Sequence, residues 1–311
     1  MITVLCGGVG GSRFLRALAS VLEPERITAV INTGDDAWFH GLYVSPDPDI
    51  VTYALAGEVD DARGWGLRGD TSRWLESLAR FGRETWFRIG DRDLATHLHR
   101  TRLLREGRTP SDCVAGIARA FGVRARLLPM SDDPVRTVVE TEAGALPFQE
   151  YLVKRRARDA VRDVRYEGAE AARPAPGVLE ALREAEAILI APSNPIGSIG
   201  PILAVPGVRA AIAGGRAPRI GVSPLVGGRS LQPPAGEMLE GLGFGESNAG
   251  VARWYGGLLE ALAIDESDAA DAAAVRAAGI EPLVTRTRMG DPASSAVLAR
   301  AVLARAGISG A

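Results

Sequence analysis

The first thirty-six residues constrain the fold more than any other stretch. Ile2–Cys6 is a short, continuously apolar run that suits a buried strand. Gly7-Gly8-Val9-Gly10-Gly11 follows at once. A helix is expected to open near Ser12, with Phe14, Leu15, Leu18, Val21 and Leu22 at helical spacing and Pro24 as its stop. Ile27–Ile31 is a second apolar run, leaving into Asn32-Thr33-Gly34-Asp35-Asp36. A strand, a helix and a strand in this order pair in parallel through a right-handed crossover.

The later chain resumes the alternation. Residues 178–185 read as helix and 187–191 as a buried strand with Pro192-Ser193-Asn194-Pro195 as its exit. Residues 220–222 read as another strand, and Ala-rich helix with a strand at 282–285 closes the pattern. Between the two ends, residues 60–121 read mostly helical, with Thr71, Asp93 and Ser111 as candidate helix starts. Strand-like runs lie at 126–128 and 137–141, and the charged stretch 155–173 reads as an exposed connection. The expected fold is therefore α/β: a Rossmann-like core with a mostly parallel sheet and a helical insertion or smaller added region. Residues 1–60 would form the first part of the core, 61–122 the helical insertion or lid, and 123–311 the remainder.

Composition excludes several classes. Of 311 residues, 46% are apolar and 24% charged, as in ordinary globular proteins. The formal net charge of −2 provides no bulk attraction to nucleic acid or an anionic membrane. No run approaches the roughly 18 apolar residues of a membrane span. Two cysteines, Cys6 and Cys113, cannot build a disulfide framework or a four-thiolate site, and they fit a reducing cytoplasm. The cationic side chains are nearly all Arg, Lys154 being the single lysine.

Four segments carry chemistry. Backbone amides of Gly8, Val9, Gly10 and Gly11 can approach anionic oxygens at a helix N-terminus; the same glycines also suit a plain tight turn. The spacing is neither the dinucleotide fingerprint, which fails at Arg13, nor a P-loop, since no Gly-Lys-Ser/Thr follows. Asp35 and Asp36 leave the second strand, and Asp47 and Asp49 follow in the loop Ser45-Pro46-Asp47-Pro48-Asp49. Carboxylates beyond strand ends and beside a phosphate cradle suit Mg2+, with Asp35, Asp36 and Asp47 as candidate ligands; Asp and Asn in turns are the ordinary alternative. Arg88 and Arg92 offer planar donors for phosphate or a ring carbonyl. Ser193 and Asn194 offer a hydroxyl and an amide on a proline-stiffened loop. His40 alone of the three histidines falls near these segments, His97 and His99 lying two apart on a helix. The five tryptophans read as core residues rather than base-stacking platforms.

In this order the blocks Gly7–Gly11, Asn32–Asp36, His40–Asp49, Gly64–Gly66, Gly69–Thr71, Glu84–Arg100, Leu127–Pro134, Phe148–Glu150, Pro192–Leu203 and Ser223–Pro234 span most of the chain. Together they resemble the 2-phospho-L-lactate transferase family (CofD; FbiA in actinobacteria) of deazaflavin coenzyme F-420 biosynthesis. The resemblance implies a cytoplasmic, Mg2+-dependent transferase, often dimeric. It would move a phospho-acid (2-phospho-L-lactate, phosphoenolpyruvate or 3-phosphoglycerate) from a guanosine diphosphate-linked donor to the ribityl hydroxyl of Fo, 7,8-didemethyl-8-hydroxy-5-deazariboflavin. GMP would leave. On this resemblance Asp49, Asp36 and Arg88 are catalytic candidates, and Asp49, Arg88 and His40 bind Fo. Gly8–Gly11, Ser193, Asn194 and Arg92 take the donor nucleotide and phosphate. The chain departs from the family pattern at Pro48 and Ile50, where relatives commonly show Leu and Thr, and at Gln232, where many carry Lys and Gly nearby.

Two other readings remain at this stage. A non-catalytic nucleotide-sugar-binding regulator of related fold would share the glycine loop without needing the acidic cluster. A nicotinamide oxidoreductase would need the fingerprint broken at Arg13.

Overall fold

A computed structural model describes residues 1–308. Seven strands form one sheet, numbered here in chain order: β1 (Ile2–Cys6), β2 (Ile27–Ile31), β3 (Arg126–Pro129), β4 (Ala187–Ile190), β5 (Arg219–Val222), β6 (Ala261–Asp265) and β7 (Glu281–Thr285). Their spatial order is β7-β6-β5-β4-β1-β2-β3, and every pairing is parallel. The fold is thus a Rossmann-like α/β arrangement. The order reverses between β1 and β4, the crevice where ligands bind in doubly wound sheets.

Sequence explains the burial. Val4, Ala29, Leu189 and Ala263 face one core, packed by Phe14, Leu15 and Leu18 of helix α1 (Gly8–Ala19) and by Leu298 and Val302 of the last helix, Pro292–Arg305. Their neighbours Leu5, Val30, Ile188 and Leu262 face the opposite core with Val178, Ile202, Val208 and Val251. Alternate side chains feed the two layers, as a sheet covered on both faces demands. Among the described residues no single helix is long and apolar enough to cross a membrane. The apolar pair Pro195–Ala204 and Val208–Gly214 is bent by 89° and supplies the second core.

Several local expectations are corrected. Helix α1 opens at Gly8, not Ser12, so most of the glycine run is already its first turn. The expected loop after Ser45 is helix α2 (Pro46–Leu55). Pro46 and Pro48 fall in its first turn, where a missing N–H breaks no intrahelical bond, and Asp47 and Asp49 complement the positive end of the helix. Asp93 does not cap the helix Asp93–Arg105: Asp70 does so from outside, accepting the Arg92 and Asp93 amides at 2.8 and 3.0 Å. Thr71 is likewise not the cap of Arg73–Ala79, which Ser72 precedes, and Thr109 rather than Ser111 caps Pro110–Ala120.

The stretch 155–173 is not merely a connection. Val161–Glu167 pairs antiparallel with Arg136–Thr141, which also pairs with Gly144–Pro147. A register shift at Glu140/Thr141 breaks the two-residue period that would have revealed the strand. β6 was not among the expected strands; the Ala-rich helix follows it at Ala272–Ala277. None of the tryptophans is buried: Trp38 and Trp65 are exposed, and Trp74, Trp86 and Trp254 half-buried.

Candidate functional site

The β1 and β4 exits are locked together by one hydroxyl. Ser193 Oγ accepts the Gly7 N–H at 3.1 Å and donates to the Gly7 carbonyl at 2.8 Å. Gly8 adopts φ +63°, which favours glycine. A Cβ on Gly10 would lie 2.2 Å from the Pro192 carbonyl oxygen, so the two loops touch backbone to backbone. Gly10→Ala is therefore expected to destabilise the fold by about 1–3 kcal/mol. Gly116→Ala, in the helix Pro110–Ala120 with open space at its Cβ, should stabilise by roughly 0.5–1 kcal/mol. Chemical denaturation of the two variants measures both signs.

The acidic groups meet this cradle. Asp47 Oδ2 accepts from Asn32 Nδ2 at 2.9 Å and would lie 2.3 Å from a Cβ on Gly7, so its carboxylate rests against the glycine turn. Burial pushes the Asp47 pKa up to about 6, against the pull of the Asn32 amide and the Gly8 N–H. Asp35 is also buried. Desolvation first, then the Asp47 and Asp36 charges, raise its pKa well above the carboxylate range. Gln149 Nε2 approaches Asp35 Oδ2 at 3.3 Å, while Asp35 Oδ1 is buried with no hydrogen-bond partner.

Below them, two helices face each other across charged side chains. Asp49 and Tyr53 stand one turn apart on α2; Asp93, His97 and Arg100 occupy one face of Asp93–Arg105. Arg100 grips both Asp49 carboxylate oxygens, with Nη1–Oδ2 at 3.0 Å and Nη2 on Oδ1. Burial raises the Asp49 pKa and the guanidinium opposes that rise. Arg100 Nη1 also lies 3.2 Å from His97 Nδ1. His97 Nε2 is 3.2 Å from Asp93 Oδ2, and the Tyr53 hydroxyl donates to Asp93 Oδ1 at 2.7 Å.

All of this borders a cavity of about 1360 Å3. The loops after β1, β2, β4, β5 and β7 contribute to its wall. Of the sequence-predicted residues, Gly8, Val9, Gly10, Asp35, Asp47, Asp49, Arg88, Ser193 and Asn194 line it. Four do not. Gly11 is buried, and its Cβ would press on Ser193 Oγ at 2.7 Å; its part is close packing. Asp36 accepts the Ser45 hydroxyl at 2.7 Å instead of facing the cavity. Arg92 is spent on Glu58 and the Arg68 carbonyl. His40, at φ +54°, sets its ring edge-on to Trp74.

Sequence reasoning missed His97, Tyr53 and Asp93 as cavity residues and Arg100 behind them. The i, i+4, i+7 spacing of Asp93, His97 and Arg100 was a visible signal. Trp86 and Phe87 also line the cavity, Phe87 stacked on Phe39 at 3.8 Å. Among the described residues Arg13, Arg88 and Arg288 line it with no ion pair or hydrogen bond of their own, while Arg16 and Arg63 pair with Asp61 and Asp60.

Known proteins match both chain and fold. A sequence model of the family described as 2-phospho-L-lactate transferase CofD matches residues 2–283. A phosphoenolpyruvate transferase of Streptomyces griseus is 44% identical over 97% of each chain. One from Mycolicibacterium smegmatis is 40% identical over 99% of each, and a 2-phospho-L-lactate transferase of Methanosarcina mazei is 37% identical over 96% of this chain and 98% of its own. A solved UPF0052-family protein from Bacillus halodurans superposes with a TM-score of 0.63 at 17% identity, covering 97% of this chain and 99% of its own; it shares the fold. The glycine turn, the acidic pair and the Asp49 floor thus sit in a chain that belongs to the 2-phospho-L-lactate transferase CofD family.

Proposed function

We propose that this chain is the Mg2+-dependent transferase of coenzyme F-420 biosynthesis that joins a phospho-acid to Fo, taking it from a guanosine diphosphate-linked donor and releasing GMP. The observation that carries the reading is the Asp47 carboxylate resting on the Gly7–Gly8 turn, with buried Asp35 beside it. Where Asp35 and Asp47 are ionised, an anionic diphosphate in that corner repels both, and a cation between them relieves the repulsion. Among the described residues no group of three or more His, Cys, Asp or Glu side chains could hold a metal ion. Two carboxylates completed by water and substrate phosphate are the ordinary Mg2+ arrangement. Asp35 and Asp47 border the cavity and fit that role; Asp36 does not line it, and its Oδ2 accepts the Ser45 hydroxyl.

When bound, Mg2+ neutralises phosphoryl charge. The protein does the rest by positioning. The amides of Val9 and Gly10 at the N-terminus of α1 take diphosphate oxygens, the Gly8 N–H being turned to Asp47. Arg13, Arg88 and Arg288 add unpaired positive charge around the same space. Asp49 accepts the hydrogen bond of the Fo ribityl hydroxyl and then its proton. The hydroxyl oxygen attacks the distal phosphorus, the bond from that phosphorus to the bridging oxygen breaks, and GMP leaves with the electron pair. At about 1360 Å3 the cavity exceeds the roughly 300–1,000 Å3 of a pocket for one small ligand, as two substrates together require.

A nucleotide-sugar regulator has no use for a buried acidic pair against its phosphate turn. The test is incubation of the protein with Fo, Mg2+ and each guanylylated acid, followed by mass spectrometry. The expected products are GMP and an Fo phosphodiester from at least one donor, with none after chelation by EDTA. If every donor is inert with Mg2+ present, the reading fails.

A further inference from the structure

We infer that His97 and Arg100 are positioning residues of the acceptor subsite: His97 fixes Arg100, and Arg100 fixes the Asp49 carboxylate that meets the acceptor hydroxyl. The inference rests on the reaction proposed above and assigns roles to two residues which that reaction does not by itself require.

Hydrogen-bond inventory decides the direction of the chain. Arg has donors and no acceptor, so at 3.2 Å from Arg100 Nη1 the His97 Nδ1 must present its lone pair. The ring proton is then on Nε2, 3.2 Å from Asp93 Oδ2 as an electrostatic contact rather than a hydrogen bond. Asp93 is held in turn by the Tyr53 hydroxyl at 2.7 Å. The order Tyr53–Asp93–His97–Arg100–Asp49 runs from α2 to the facing helix and back to α2. In this tautomer His97 does not act as the base for the hydroxyl, because its acceptor nitrogen is engaged by Arg100.

Position on the wall supports the assignment. Tyr53, Asp93, His97 and Asp49 border the cavity, while Arg100 lies behind them and is 2% exposed. Arg100 therefore acts on a substrate through Asp49. A guanidinium held on both carboxylate oxygens sets the plane of that carboxylate, which a single-point ammonium cannot do. His97 occupies Nη1, the same nitrogen that contacts Asp49 Oδ2, so removing the imidazole frees the fork to rotate.

Steady-state kinetics with Mg2+, Fo and the active donor test this on His97→Asn, His97→Gln, His97→Leu and Arg100→Lys. An Asn side chain places its carbonyl oxygen near the Nδ1 position; a Gln amide reaches the Nε2 position instead. His97→Gln, His97→Leu and Arg100→Lys are expected to raise the KM for Fo by about tenfold, with the donor KM within about twofold of wild type. His97→Asn should recover most of the Fo KM. Equal rises in both KM values, or His97→Asn no better than His97→Gln, overturn the positioning role and leave the transfer reaction standing. The Asn/Gln contrast decides the matter if His97→Leu does not fold. A wild-type protein that makes no Fo phosphodiester overturns the reaction, and the positioning role with it.

Discussion

Asp47→Asn is expected to lower kcat/KM by about 10²–10³ while making the protein more stable at pH 8. The two effects have one cause. Asp47 is a buried carboxylate pressed on the glycine turn beside Asp35, so its charge is costly, and under the proposed reaction a cation would offset that cost. Its pKa is raised from the usual 3.8 to about 6, so the folded state holds its proton more tightly than the unfolded state. Stability contributed by the protonated group is present below pH 3.8 and is lost as pH rises through about 6. Thermal unfolding in EDTA from pH 4 to 8 should show Tm falling for wild type and falling less for Asp47→Asn. Part of the slope remains in the variant because Asp35 is shifted in the same direction. A Tm profile of unchanged steepness, or turnover near wild type, would count against the assignment.

Arg100→Leu is expected to produce the largest loss of stability, about 3–5 kcal/mol, since it strands the Asp49 carboxylate in the interior. That is a large share of a domain's typical 5–15 kcal/mol. Adding Asp49→Asn should recover part of the loss, because the double variant buries no unpaired charge at that pair. Recovery stays incomplete: losing Arg100 also removes the charge that draws down the Asp36 pKa and leaves His97 without its donor. Urea unfolding of the wild type, both single variants and the double variant gives the coupling energy directly. A simple sum of the two single effects would mean that the pair does not interact as described.

The parallel core was legible because its strands are apolar on both faces and its first crossover is short. Ile2–Cys6, Ile27–Ile31 and Ala187–Ile190 need no partner information to read as buried strands. Ala261–Asp265 was masked by alanine, which suits helix and tight strand packing alike, and Val161–Glu167 by its bulged register. The cradle residues and Asp35, Asp47 and Asp49 were legible because strand exits fix where their backbone goes. His97 and Arg100 showed only their spacing on one helix face. Their importance depends on which helix their face meets, and that follows from side chains that join residues 40 and 51 positions apart in sequence. Arg92 and His40 failed for the complementary reason: nearby polar and aromatic groups claim them first.

Each wall of the cavity hangs from a different strand. The acidic corner comes from the segments after β2, while Ser223–Ala235 follows β5 and Thr287–Ser295 follows β7, several strands away across the sheet. Under the proposed reaction, such a layout builds the acidic corner and the far loops of the cavity on separate strands. Loops on the far strands can be lengthened, shortened or exchanged while the backbone that carries Asp35 and Asp47 keeps its own supports, so the outline of the cavity can change without rebuilding its acidic side.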